Sequence, residues 1–324
     1  MTSALPGQPA RLGPVSGHLE NNGHTAAIVY PIGPDIVTDP LGWTQEHREG
    51  IRNGLDTVGA VLLTGLPVDL DLFSNIVEAV GGELLSYNER STPRKEVQGN
   101  IYTSTEYPPD QSIPMHNESS YSNHWPEKLF FLCHTPAESG GATPIADSRA
   151  VLRELDPEVR KHFADGVAYT RTFRDGLGLS WQEAFQTESP DAVDAYCGEQ
   201  SQEATWTDGG LKTRHRQPSW RTEPSTGEDV WFNQANLFHV SSLDDEVREA
   251  LTAVYEDGDL PRNAYFGDGE PISDKDIAEI NAVYAKVSLA MPWQAGSVLI
   301  INNMLMAHGR EPFTGSRRVL VAMS

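Results

Sequence analysis

The apolar runs of this chain are short and far apart. Ala60-Val61-Leu62-Leu63-Thr64-Gly65, Leu129-Phe130-Phe131-Leu132-Cys133 and Gly296-Ser297-Val298-Leu299-Ile300-Ile301-Asn302 each have the length of a buried strand. Between them lie long polar stretches with helical patterning, at 147–164, 179–198, 243–257 and 273–290. A parallel doubly wound sheet or a TIM barrel needs one strand regularly followed by one helix, and this spacing is irregular. No strand–GxGxxG–helix unit and no GxxxxGK[ST] is present. Gly176-Leu177-Gly178 has Trp181 where the third glycine would stand. What remains is a mainly β fold with helical insertions (α+β), a sandwich or jelly roll with helices on its outside.

Residues 1–25 mix Gly, Pro, Ser and Asn without periodicity and read as a flexible N-terminal arm. Residues 26–324 then form a single domain with a helical insertion around 147–290. The pattern at 44–58 suits a helix with Thr44 as its cap, and 69–81 a second helix ending at glycine. Residues 126–134 and 166–174 read as strands, and Arg318–Met323 as the last one.

The chain has 324 residues and sets 24 Lys+Arg against 46 Asp+Glu, a formal charge of −22. Nucleic-acid binding gains affinity from basic side chains that neutralise phosphates, and an anionic membrane repels the same sign. Neither partner is expected. No apolar run approaches the ~20 residues of a membrane span. The N-terminal stretch lacks the apolar core of a secretory signal. The two cysteines, Cys133 and Cys197, form no disulfide framework. A cytoplasmic location follows as the expectation.

The chemistry concentrates in Pro114-Met115-His116-Asn117-Glu118. In an extended segment, residues two apart project to one side, so His116 and Glu118 can reach one point. An imidazole and a carboxylate converging this way are two parts of a facial iron triad. A second histidine, His308, follows the strand-like run near the C-terminus, and Arg318 stands ten residues beyond it. Such a triad leaves positions open for a bidentate 2-oxo acid, whose distal carboxylate then needs a fixed, forked cation.

Further segments carry a resemblance: RSTPR (90–94), Tyr102-Thr103-Ser104-Thr105-Glu106-Tyr107-Pro108, IPMHNESSYSNHWP (113–126), GGATPIADSR (140–149), WFNQANLFH (231–239) and NNMLMAHGREPFTGSRRVLVAM (302–323). With these the sequence resembles the taurine dioxygenase-like branch of the Fe(II)/2-oxoglutarate dioxygenases. More narrowly, it resembles the syringomycin-type hydroxylases of nonribosomal peptide pathways. The resemblance implies a double-stranded β-helix, with Fe(II), 2-oxoglutarate and O₂ as metal and cosubstrates. It implies iron ligation by His116, Glu118 and His308. It also implies a distal-carboxylate anchor at Arg318, supported by the Thr143 hydroxyl, with the adjacent Arg317 as the alternative anchor.

Two departures bear on the substrate. Sulfonate- and aryloxyacetate-oxidising relatives carry a second arginine four residues beyond the anchor, where this chain has Ala322. Halogenating relatives replace the triad carboxylate, which Glu118 here retains. The implied reaction is hydroxylation of an unactivated C–H in an amino-acid-like or carrier-bound natural-product intermediate, with release of succinate and CO₂. Desaturation, cyclisation or epoxidation by the same iron is the alternative, and a non-catalytic jelly-roll binder a further one. Asn117, Thr103, Tyr121 and His124 are candidates for lining the substrate pocket. Arg214 and Arg216, in a basic island with Lys212, His215 and Arg221, are candidates for contacting an anionic substrate or a carrier's phosphopantetheine arm. His134, His162, His239, Trp125 and Trp231 read as structural.

Overall fold

In a computed structural model the described residues are 11–85, 96–104, 107–174, 176, 178–208 and 210–324. The RSTPR segment, Thr105 and Glu106 lie outside them. A major sheet of eight strands runs, in spatial order, His18–Asn21, Ala26–Pro31, Ala60–Thr64, Val298–Asn302, Lys128–Thr135, Arg318–Met323, Ile101–Thr103 and Glu96–Gln98. Every neighbouring pair is antiparallel except Ala26–Pro31 with Ala60–Thr64. A three-stranded minor sheet, Ile145–Asp147, Met306–Arg310 and Ile113–His116, completes the core of the double-stranded β-helix.

The apolar runs are continuous because both faces of the major sheet are buried. Leu129, Phe131, Leu299, Ile301, Val319 and Val321 share one cluster with Ile145, Leu305 and Met306 of the minor-sheet side. Their alternate neighbours Phe130, Leu132, Val298, Ile300, Leu320 and Ala322 pack against the helices Arg48–Thr57 and Leu70–Gly81, through Ile51, Leu55, Phe73, Ile76 and Val77. A period of two therefore sorts each strand between a helical layer and an inner layer. Cys133, fully buried within this sheet, has its thiol pushed up to about 11 by burial, with the Arg317 charge opposing.

Four expectations are corrected. The N-terminal arm is not loose over residues 11–25. His18–Asn21 pairs with Ala26–Pro31, Val15 is buried, and the Trp43 indole donates to Leu12 O at 3.2 Å; residues 1–10 lie outside the described residues. The helix at 44–58 is two, Pro40–Glu46 and Arg48–Thr57, and its cap is Asp39, which accepts from the Gly42 N–H. Thr44 sits inside the first helix, its hydroxyl donating to Pro40 O at 2.8 Å. The patterns at 147–164 and 179–198 each break where Pro157 and Pro190 open a new helix. Finally, the insertion expected to be helical around 147–290 is so only in part, and the strand expected at 166–174 is not alone in it. It holds a four-stranded antiparallel sheet, ordered Glu203–Thr207, Gly210–Gln217, Val167–Arg174 and Arg262–Phe266.

Candidate metal and cosubstrate site

His116 ends its strand directly opposite His308 on the neighbouring one. Opposed residues in an antiparallel pair project to the same face, so the two rings meet, their centroids 4.4 Å apart. Glu118 lies two residues on, where the strand has given way to a turn. Its Oε2 stands 3.8 Å from His308 Nε2. One ligand atom from each of the three residues falls within 4.8 Å of the others, and all three side chains are buried. His116 Nδ1 faces the Pro114 carbonyl at 2.8 Å. A carbonyl only accepts, so Nδ1 carries the hydrogen and the Nε2 lone pair is left for a metal. Two imidazoles and a carboxylate arranged around one point fit Fe(II) with open positions.

The carboxylate is positioned through the backbone by Asn303, which is fully buried. Its side-chain oxygen accepts from the Glu118 N–H at 2.8 Å, and its amide donates to the carbonyls of Glu118 and Pro126, both at 2.9 Å. Asn117 turns the other way, its amide donating to Asn303 O at 2.7 Å and Ser148 Oγ at 3.1 Å. Gln234 in turn donates to Asn117 O at 2.7 Å. Asn303→Ala leaves the backbone N–H and C=O of Glu118 without these partners in a dry site. The expected result is Fe(II) affinity lowered by ~10- to 100-fold, the usual loss for an outer support, in anaerobic titration. Wild-type affinity in this variant would show that the clamp does not orient Glu118.

Beside the two histidines a narrow cavity is lined by Ser104, Ile113, Phe131, Thr143, Arg310, Arg317, Val319 and Val321. Arg317 crosses into it between the Gly141 carbonyl, to which its Nε donates at 2.7 Å, and the Thr143 hydroxyl at 3.3 Å. Gly141 itself has φ +71°, and a Cβ there would stand 3.0 Å from both Arg317 Cδ and Phe313 Cβ. Glycine is thus required on conformational and steric grounds. The Trp293 indole also donates to Thr143 Oγ1, at 3.2 Å. With both lone pairs taken, the threonine O–H is the group left to donate to a ligand. Burial, reinforced by the neighbouring Arg310, pushes the Arg317 guanidinium down to about 10, so it remains a cation at neutral pH.

Arg318, the first choice as carboxylate anchor, is exposed and points away from this cavity. The register shifts between Arg318 and Val319, and the inward set along this edge is Arg317, Val319 and Val321. The position four beyond the inward arginine is accordingly Val321, which lines the cavity, rather than Ala322.

None of the residues considered for the substrate lines this cavity. Asn117 gives its amide N–H groups to the clamp described above. Tyr121 packs against Phe238 at 5.2 Å in the core of the insertion. His124 is exposed, and Thr103 pairs across from Leu320 while its neighbour Ser104 faces the cavity. Arg214 and Arg216 lie on the outward side of Gly210–Gln217, where alternate residues are buried, and Arg216 donates to Asp165 O at 2.6 Å. His162 faces Asp276 at 3.2 Å and His239 faces Ile272 O at 3.1 Å, both structural partners. Trp125 packs on Phe232 with its ring centroid 5.1 Å away.

The chain is 42% identical over 272 residues to dapdiamide synthesis protein DdaC of Enterobacter agglomerans, covering 83% of each chain. It is 33% identical over 295 residues to a clavaminate synthase-like protein of Arabidopsis thaliana, covering 86% of this chain and 85% of that one. Its fold is similar to that of PvcB from Pseudomonas aeruginosa, at a TM-score of 0.53 and 14% identity, over 100% of this chain and 94% of that chain. Residues 28–323 match the model of a single family. The chain therefore belongs to the taurine catabolism dioxygenase TauD, TfdA family, the 2-oxoglutarate-dependent non-heme iron dioxygenases.

Proposed function

We propose that this dioxygenase hydroxylates an unactivated C–H bond of an amino-acid-like natural-product intermediate, free or bound to a peptidyl carrier, converting 2-oxoglutarate to succinate and CO₂. The observation that carries the reading is the sharing of one buried cavity by the imidazoles of the triad and by Arg317 with Thr143. Iron held by His116, Glu118 and His308 supplies the oxidising chemistry once cosubstrate and O₂ are bound. The side chains supply geometry. Arg317 and the Thr143 O–H hold the distal carboxylate, while Ile113, Phe131, Val319 and Val321 keep the cavity apolar. Val321, where sulfonate-oxidising relatives carry an arginine, argues against a taurine-like substrate. Glu118 occupies the position that a halide would need. The likeness to a protein named for dapdiamide synthesis supports a natural-product intermediate as substrate. Among the described residues no helix is long and apolar enough to cross a membrane.

The test is a screen of free amino acids, short peptides and carrier-bound aminoacyl thioesters for stimulated succinate release. The expected product gains one oxygen atom by mass. Succinate release no greater than the substrate-free background in every class would overturn the proposal. A product short of two hydrogens would replace hydroxylation by desaturation or cyclisation.

A further inference from the structure

Arg171 and Arg262 are directly opposed on the antiparallel strands Val167–Arg174 and Arg262–Phe266. Opposed side chains share a face, and like charges placed so repel one another. Both residues line a second cavity, with Phe173, Glu183, Val240, Leu251 and Leu260, which shares no lining residue with the iron-site cavity. Arg262 lies over the Phe238 ring at 5.7 Å, and Arg171 over Phe173 at 4.7 Å. Burial lowers the Arg262 pKa and the Arg171 charge adds to the effect, with only the Tyr107 phenol opposing. The cavity lining also holds a carboxylate, Glu183, which accepts from the Ser180 N–H and hydroxyl at 3.1 and 2.9 Å and is not among the charges that shift Arg262.

Two chains of contacts run between this cavity and the iron site. Arg310, in the iron-site wall, donates to the carbonyls of Tyr107, Pro108 and Gln111. The Gln111 side chain in turn donates to Asp244, at the start of the helix that brings Leu251 to the second cavity. On the other side, Phe238 beneath Arg262 packs on Tyr121, three residues beyond Glu118.

We propose that Arg262, with Arg171 beside it, binds an oxyanion carried by the substrate at the end remote from the carbon being oxidised. The anion is either a free carboxylate or the phosphate of a pantetheine arm. The inference rests on the dioxygenase reading above and names the chemistry that selects its substrate. Apolar walls take the body of the molecule, and a weakly hydrated, forked cation takes its charged end.

The test uses the anaerobic enzyme loaded with Fe(II) and 2-oxoglutarate, and two pairs of probes measured by calorimetry. N-acetyl-L-leucine is compared with its amide, and 4′-phosphopantetheine with pantetheine. In the wild type, one charged probe is expected to bind about 10- to 100-fold more tightly than its neutral partner, the range of a charge-assisted hydrogen bond. Which pair discriminates identifies the source of the anion. Arg262→Met should abolish that preference and Arg262→Lys should keep part of it, with the visible band of the iron–cosubstrate chelate unchanged in both. A wild type indifferent to charge in both pairs, or a preference that survives Arg262→Met, would overturn the inference. A wild type without the chelate band would overturn the dioxygenase reading instead.

Discussion

Glu118→Ala, and His116→Ala beside it, are expected to abolish the visible charge-transfer band that wild-type protein gives with Fe(II) and 2-oxoglutarate under anaerobic conditions. Substrate-stimulated succinate formation should fall with it, by more than the ~100-fold that bounds the loss of an outer support. The reason is geometric. The three ligand atoms lie within 4.8 Å of one another in a buried site, so removing either one leaves only two protein donors, and Glu118→Ala also removes the one anionic protein ligand. The chain should still fold, because Asn303 holds the Glu118 backbone rather than its carboxylate. Circular dichroism of the variants should therefore match the wild type. A Glu118→Ala, His116→Ala double variant that kept the chelate band would refute this triad as the metal site.

The triad was legible in the sequence because its signal is local at each end. His-x-Glu needs only an extended segment, and His308 needs only to follow a strand. That the segment turns at Glu118 did not disturb the convergence. Asn303 was not legible. An asparagine in a polar stretch after a strand reads as a turn residue, and nothing local reveals that it closes on Glu118, 185 positions away. The strand Gly210–Gln217 was missed for a related reason. Its buried residues after Leu211 are Thr213, His215 and Gln217, so the alternation of burial has no matching alternation of hydrophobicity. Helix ends were misread where a proline overruled the periodicity, as at Pro157 and Pro190.

The choice between Arg317 and Arg318 shows where strand periodicity stops helping. In the final strand both faces are apolar, Leu320 and Ala322 toward the helices and Val319 and Val321 toward the cavity. The pattern says that neighbours face opposite ways and leaves open which way is inward. In the structure Arg317 is the one that lines the cavity, and if it holds the cosubstrate the two side chains separate cleanly in kinetics. Arg317→Met is expected to raise KM for 2-oxoglutarate by roughly 30-fold or more, because truncating one member of a buried, hydrogen-bonded charge pair costs about 2–5 kcal/mol. Arg317→Lys keeps the charge but loses the fork that reaches both Gly141 O and Thr143 Oγ1, and should recover only part of that loss. Arg318→Met, on the exposed side, should leave KM within about 2-fold of wild type, as a surface ion contributes little. The measurement is succinate formation against 2-oxoglutarate concentration at saturating substrate. Equal effects at the two positions, or a larger one at Arg318, would mean that the cosubstrate carboxylate is not held by the arginine that the bulge turns inward.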